Sequence, residues 1–421
     1  MKKFTMPTSV KIAFRNVFRN RRRTLLTLSS IVLGSAAMID FDGYRNFADW
    51  GLREMYIRSQ LGHLQIYKKG YRASKGMKPF EYLISNTEDI KKTVSETLGD
   101  RLKVVTSRLE LNGLITKGGQ SYNFMAQGIE VDAERKMSAL DDGTSSALNV
   151  RRGQALTGAD SGAVLLGYEL CEALGVKDGD LLSLMGASVN GALNATDLLW
   201  KGCFSTISKE YDKVATIMPL VDAKRFAATD DVLKIVVMLN NTDMTERARK
   251  DLEAAFAAKG YDLEMVSWLE LADYYKQVMV FLGGMFMVIA TIIVFVVVFS
   301  IVNTLTMSVF ERVQEIGTIR AMGAEGGQIL KLFIIEGIML GLIGGLIGMI
   351  FGGGVAFIIN HAKILLPPPP GSSEGFLLQL RLYPSSFVLG FSIAVLSSFV
   401  ASIYPAMKAA KLRVVDALRH V

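Results

Sequence analysis

The stretch VMVFLGGMFMVIATIIVFVVVFSIVNTLTMSVF, Val278 to Phe310, runs 33 residues without a charge and breaks into ERVQEIGTIRAMGAEGGQ, Glu311 to Gln328. An uncharged run of that length exceeds any ordinary globular core helix and is long enough to cross a bilayer with turns to spare. The segment behind it is short, charged and bounded by glycine, and a second long apolar run follows soon after. A brief polar element tethered between two spans is held at the membrane surface, where a soluble partner could push on both spans together.

Working outward, three more uncharged runs stand in the chain: Thr24–Ile39, Gly337–Asn360 and Leu382–Met407. The whole chain has 421 residues, 50% apolar and 21% charged, and a mean hydropathy of +0.30. These values fit a membrane protein with a large soluble part. The expected division is an interfacial helix at 1–23, spans at 24–45, 278–310, 330–360 and 384–407, and an extracytoplasmic domain at 46–277. Between and after the spans come a loop at 311–329, a second outer loop at 361–383 and a tail at 408–421. The first run, the shortest, ends at Asp40 and is expected to continue as a helix on the far side.

Lys11, Arg15, Arg19, Arg21, Arg22 and Arg23 precede the first run, and Lys408, Lys411, Arg413 and Arg419 follow the last. Basic residues near short spans favour the cytoplasmic side, so both termini are expected inside and Asp42–Gln277 outside. The net charge of +7 is largely that arginine cluster and calls for no nucleic acid. Val10, Ala13, Phe14, Val17 and Phe18 recur at helical spacing opposite Lys11, Arg15, Arg19 and Arg22. That pattern reads as a basic amphipathic helix lying against membrane lipids, or else packed on a soluble partner. The first run has the outline of a signal peptide, but its long basic prelude favours a retained anchor.

The insert between the first two runs reads as mixed α/β. Strands are expected at His63–Tyr67, Val104–Leu109, Ala163–Leu166, Leu181–Met185, Leu198–Phe204, Val214–Met218 and Lys234–Leu239. Helices are expected at Tyr168–Leu174, Val221–Ala227 and Thr245–Lys259, the last with Ala248, Leu252, Ala255 and Phe256 turned inward. Two subdomains are expected, parted by the polar stretch Ser138–Ser146. Cys171 and Cys203 both fall in this insert, and buried free thiols are expected in preference to a disulfide. His63, His361 and His420 are too scattered for a metal cluster, so no metal is expected. The chain contains no GxxxxGK[ST], G-x-S-x-G or H-E-x-x-H, and no catalytic residue is assigned.

The run Glu315-Ile316-Gly317-Thr318-Ile319-Arg320-Ala321-Met322-Gly323-Ala324 resembles the EIG-x-[LI]-R-A-x-G-A signature of the FtsX-type ABC transporter permeases, with Gln314 where that family often carries Arg. Ala13-x-Arg15-Asn16, Arg19-Asn20 and Arg23-Thr24 are similar to the family's opening. Tyr404-Pro405-Ala406, Ala409-Ala410 and Val415-x-Ala417-Leu418-Arg419 are similar to its close. Gly62-His63-Leu64-Gln65-Ile66, Gly128-Ile129-Glu130, the stretch from Gly167 and Leu170 to Gly179-Asp180, and Lys201-Gly202-Cys203-Phe204 with Tyr211-Asp212 lean toward the lipoprotein-releasing branch (LolC/LolE). The resemblance implies an α-helical membrane protein with four transmembrane helices plus a large mixed α/β extracytoplasmic domain like the MacB periplasmic core. It implies a bacterial inner-membrane permease, not itself an enzyme, without a cofactor of its own. ATP and Mg would be bound by a separate cytoplasmic ABC ATPase present in two copies. A second permease, identical or a paralogue, and a periplasmic lipoprotein carrier or adaptor are the other implied partners.

On that reading Glu315–Ala324 is a coupling helix docking in the ATPase. Ile316, Ile319 and Gly323 share a helical face, Glu311 and Glu315 stack at i, i+4, and Gly317 and Gly323 admit a close backbone. Gly341, Gly344, Gly345, Gly348 and Gly352 place small residues along one flank of the third span, either as static packing or as a sliding seam. Glu336 is expected to reach the interface or to be paired. Met38, Ile39, Met279, Phe281 and Met285 are candidate substrate-facing residues at the outer leaflet, or simple lipid-facing ones. Pro367–Pro370 is either a stiff spacer for the second outer loop or a helix stop. The expected function is extraction of lipoproteins or other amphiphiles from the outer leaflet. The alternatives are a cargo-free transmembrane signalling device of the FtsX kind and a MacB-like efflux permease.

Overall fold

Each uncharged run lies inside a long helix of the computed structural model, which describes residues 15–16, 19, 21–74, 78–139, 149–206, 208–367, 376–412 and 414. The apolar face Val10–Phe18, residues 140–148, Pro368–Gly371 and the closing Val415–Arg419 motif lie outside the described residues. The chain forms two units, a helical one of residues 1–50, 278–365 and 377–421 and a second of 51–277 and 366–376.

Among the described residues, four helices are long and apolar enough to cross a membrane. Helix α1, Arg21–Tyr56, passes Asp40 without interruption and continues as a π-helical turn to Leu61. It stops at Gly62, whose φ of +63° suits glycine. Helix α2 is Asp273–Glu311. A short helix α3, Val313–Ala321, separates it from α4, Gly326–Ala362. Helix α5, Pro384–Ala410, starts with proline in its first turn, where no amide donor is needed.

The glycines of α4 serve two flanks, where one was expected. A Cβ on Gly337 or Gly341 would stand 2.4 or 2.8 Å from the Cβ of Ser402 or Ser398 on α5, and one on Gly345 would stand 2.9 Å from Phe391. The offset set Gly344, Gly348 and Gly352 meets Ile31, Ser35 and Ala36 of α1 at 2.6, 2.6 and 3.1 Å. Residues three and four apart on a helix rotate between adjacent grooves, so two interleaved four-residue series bring two neighbours to backbone distance.

The second unit is built on one mixed sheet. Its strands are β1 Leu64–Lys68, β2 Leu102–Lys117, β3 Gln120–Ile129, β4 Asn149–Gly153, β5 Ala163–Gly167, β6 Leu181–Ala187, β7 Leu193–Ser205, β8 Ala215–Pro219, β9 Lys234–Leu239 and β10 Leu263–Ser267. The order is β10-β1-β9-β2-β3-β8-β5-β7-β4, with β6 bridging β2 and β7. Pairs β3–β8 and β5–β7 are parallel. The expected division near Ser138 is replaced by one inside β2, whose first half pairs with β9 and whose second half pairs with β6. One apolar core gathers β1, β9 and β10 with helices Thr87–Leu98 and Thr245–Lys259. Another gathers β5, β6 and β7 with Tyr168–Leu174 and Leu220–Ala227. A 16-residue strand is long enough to belong to both of these cores, and a third apolar cluster gathers Ile129, Leu156, Leu165, Phe204 and Ile217.

Cys171 and Cys203 are joined by a disulfide, with Cα atoms 6.2 Å apart, against the expectation of free thiols. The cause is topological. Parallel pairing sets Leu166 beside Cys203, and the helix that leaves β5 at once folds Cys171 back over that position. Nothing local in the sequence encodes a contact across 32 residues.

His63 of the Gly62–Ile66 motif is buried and neutral: burial, then Arg58, Arg53 and Lys103, depress its pKa to about 4. Its Nδ1 accepts the Leu239 amide at 3.0 Å, which leaves Nε2 to donate to Thr242 Oγ1 at 3.0 Å. The motif is a fastener between β1 and β9.

Candidate functional site

The break between α2 and α3 is a single residue, Arg312, with φ −115° and ψ 17°. Helix α2 loses its register there because Arg312 turns its side chain inward, where its guanidinium lies 5.5 Å from the Phe333 ring centroid. Its Nη1 donates to Glu336 Oε1 at 3.0 Å, and its Nε to Glu315 Oε2 at 3.2 Å. Asn16 Nδ2 donates to the same Glu336 oxygen at 2.7 Å. Glu336 is therefore paired, one of the two outcomes expected for it.

A more exposed layer surrounds this buried one. Arg19 reaches Glu315 Oε1 at 2.5 Å, and Arg23 grips Glu311 through two bonds of 3.0 and 2.5 Å. Arg19 and, after it, Arg312 hold the Glu315 carboxyl below the usual carboxylate range. Glu311 and Glu315 thus engage arginines of the N-terminal segment. At the other end of α3, Arg320 donates to the carbonyls of Ala410 (3.3 Å) and Leu412 just past α5, as a cation at a helix C-terminus favours.

The apolar residues of the signature face the chain's own interior. Ile316 is buried with Val309, Ile329, Phe333, Ala406 and Ala409, and Ile319 packs against that group. Val313 and Gly317 are buried too. This corrects the expected docking face: the exposed side of α3 and its end carries Gln314, Glu315, Thr318, Ala321, Met322 and Gly323. Gly323 lies past the helix at φ +101° with open space around its Cβ position. It ends α3 through its bond to the Arg320 carbonyl, followed by Ala324 to Ile319. A side chain at Gly323 would strain the backbone before it obstructed a partner. Sequence reasoning passed over Arg312, although an arginine placed directly at the end of an apolar helix was the available signal.

The candidate substrate-facing residues divide. Met38 and Ile39 are fully buried inside the helical unit, Ile39 against Gly390, so both are packing residues. Phe281 and Met285 are exposed, and Met279 is half-buried. Among the described residues no group of His, Cys, Asp and Glu is placed to hold a metal ion.

Among the described residues, four helices are long and apolar enough to cross a membrane, with a short clamped helix between the second and third. Residues 287–414 match the FtsX-like permease C-terminal family, and the chain's relatives are ABC transporter permeases, MacB, LolC and LolE among them. It is 24% identical to the uncharacterized ABC transporter permease MJ1507 of Methanocaldococcus jannaschii over 97% of both chains. It is 26% identical to the lipoprotein-releasing system transmembrane protein LolC of Xylella fastidiosa over 73% of this chain and 75% of LolC. Against the macrolide export ATP-binding/permease protein MacB of Chromobacterium violaceum, identity is 24% over 97% of this chain and 60% of MacB. The periplasmic region of MacB from Actinobacillus actinomycetemcomitans is a structural neighbour at 16% identity and a TM-score of 0.36, covering 53% of this chain and 95% of that one.

Proposed function

We propose that the chain is the permease subunit of a transporter in which a separate ATPase, in two copies, docks on the exposed side of α3. ATP hydrolysis there moves the second unit on the far side of a bacterial inner membrane. A second permease copy completes the pore-less pair, and the cargo is a lipoprotein or another amphiphile drawn from the outer leaflet. The observation that carries this reading is the clamping of α3. A push on Thr318 or Met322 is received by a helix already tied to α4, to α5 and to the N-terminal segment. The Cys171–Cys203 bridge supports an oxidising outer compartment for the second unit.

An acylated cargo is held in the bilayer by about 0.8 kcal/mol per buried CH₂, so its release needs a competing apolar surface. Phe281, Met285 and Met287 offer one, with flexible methionines suited to varied acyl shapes. The test has two arms. Thr318→Trp, on the exposed side of α3, should abolish co-purification of the ATPase while the protein remains monodisperse. Photo-crosslinkers at Phe281 and Met285 should capture an acylated protein, with a yield that falls on addition of ATP. Crosslinks to phospholipid alone, insensitive to ATP, would favour the cargo-free signalling device.

A further inference from the structure

Arg312 and Glu336 form an ion pair buried at the one-residue break between α2 and α3, and the stability of the bundle does not call for it. A buried pair recovers little more than its desolvation cost, and an apolar pair of the same size would fill the space as well. What the ionic pair supplies is direction. The planar guanidinium has its Nη1 fixed on Glu336 of α4, its Nε on Glu315 of α3 and its face toward Phe333, also of α4. Asn16 brings the N-terminal segment to the same Glu336 oxygen. At the break the Arg312 amide reaches the Val309 carbonyl at 3.2 Å and the Arg312 carbonyl accepts the Ile316 amide at 2.9 Å, and the helix that follows has no side-chain cap at its N-terminus. Without the guanidinium the side-chain tie from the break to α4 would be lost.

We propose that Arg312 and Glu336 are positioning residues that lock α3, α4 and the N-terminal segment into one lever, so that movement of α3 is delivered to α4 instead of being absorbed as bending at residue 312. This rests on the docking reading above and deepens it by naming the joint through which the push is transmitted. The exposed pairs Arg19–Glu315 and Arg23–Glu311 flank the joint. Lying in water, they are screened and contribute less to its rigidity.

The test uses the full chain in nanodiscs with spin labels at Thr318 on α3 and Lys331 on α4. Both native cysteines are consumed in their own disulfide, so the labels are unambiguous. The wild-type pair should give one narrow distance distribution. Arg312→Gln and Glu336→Gln should each broaden it by about twofold or more, as expected when a hinge loses its fixed partner. The exchanged pair Arg312→Glu with Glu336→Arg should narrow it again. A purely structural role would lower thermal stability without this rescue. Unchanged widths in both single variants overturn the joint, and so does an exchanged pair as broad as the singles. If a glutamine variant fails to fold, Arg312→Lys, which keeps the charge but loses the fork, takes its place and should broaden the distribution as well; an unchanged width there also overturns the joint. ATPase capture by nanodiscs holding the same variants without labels, so that Thr318 is intact, reads the docking proposal separately. Capture with unchanged widths rejects only the joint, and rescue of the width without capture rejects only the docking.

Discussion

The helical unit and the sheet unit solve opposite solvation problems with the same twenty side chains. In the helical unit, large apolar residues stand outside: Phe295 and Phe299 of α2 and Ile350 of α4 are exposed. The closest approaches of α4 to α1 and α5 are made by glycines, largely against serine and alanine, beside apolar clusters that include Leu28, Ile31, Val297 and Phe333. The sheet unit reverses the exterior. Its apolar residues fill inner cores, and its surface carries the charge. Buried ions also differ in use. In the sheet unit, Arg108 is bound by two bonds of 2.7 and 2.8 Å to Glu134. Lys234 meets Glu110 at 2.5 Å; Lys234 and burial act on the Glu110 carboxyl in opposite senses, and Lys234 prevails and lowers it. In the helical unit, the buried ion pair of Arg312 sits where a helix breaks. The difference teaches that an apolar exterior marks a lipid-facing surface, and that a bundle without a hydrophobic driving force must pack by close approach.

The comparison can be broken in several places. Arg108→Met, leaving Glu134 as an uncompensated buried charge, should cost about 3–5 kcal/mol, and Glu134→Leu added to it should recover most of that. The melting temperature of the full-length protein reads both. Phe295→Arg should cost about 2.5–3.5 kcal/mol of insertion energy and lower the amount of membrane-integrated protein. Leu193→Arg on the sheet surface, a position even more exposed at 81% against 70%, should shift stability by only about 0.5 kcal/mol or less. Equal effects at the two sites would remove the distinction between the units.

His63 sharpens the description of the sheet unit. Its folded pKa of about 4 lies below the ordinary 6.5. The unfolded chain therefore takes up a proton first as pH falls. The stability due to neutral His63 is present above pH 6.5 and is lost toward pH 4, by roughly 3 kcal/mol in all. Melting curves across that window should show the loss, and His63→Gln should flatten it. A last contrast concerns packing. Gly348→Leu places a side chain where Ser35 already stands at 2.6 Å and should cost about 1–3 kcal/mol. Gly354→Leu, with nothing within 4 Å, should leave thermal stability of the detergent-solubilised protein unchanged.

Much of this architecture was readable along the chain. Uncharged runs coincide with the four long helices. The short apolar runs at Ala163–Leu166 and Lys234–Leu239 match strands, and the helical spacings at Tyr168–Leu174 and Thr245–Lys259 match helices, with Ala248, Leu252 and Phe256 inward. These are local properties: hydropathy and spacing repeat within one element and need no partner to be recognised. The signature around Glu315 was equally visible, but the burial of Ile316 was not, because Ile316 packs on residues of α4 and α5 and only the bundle supplies those surfaces.

What tertiary structure alone decided are the long-range partnerships. Glu336 finds Arg312 and Asn16; Gly344 and Gly345, adjacent in sequence, turn to α1 and α5; Cys171 reaches Cys203 across a parallel strand pair; and β2 pairs with β9 along its first half and β6 along its second. Each depends on the order in which elements pack. A sequence records which residues can be buried or paired, while the energy of a particular pairing exists only once the fold has brought both groups out of solvent together.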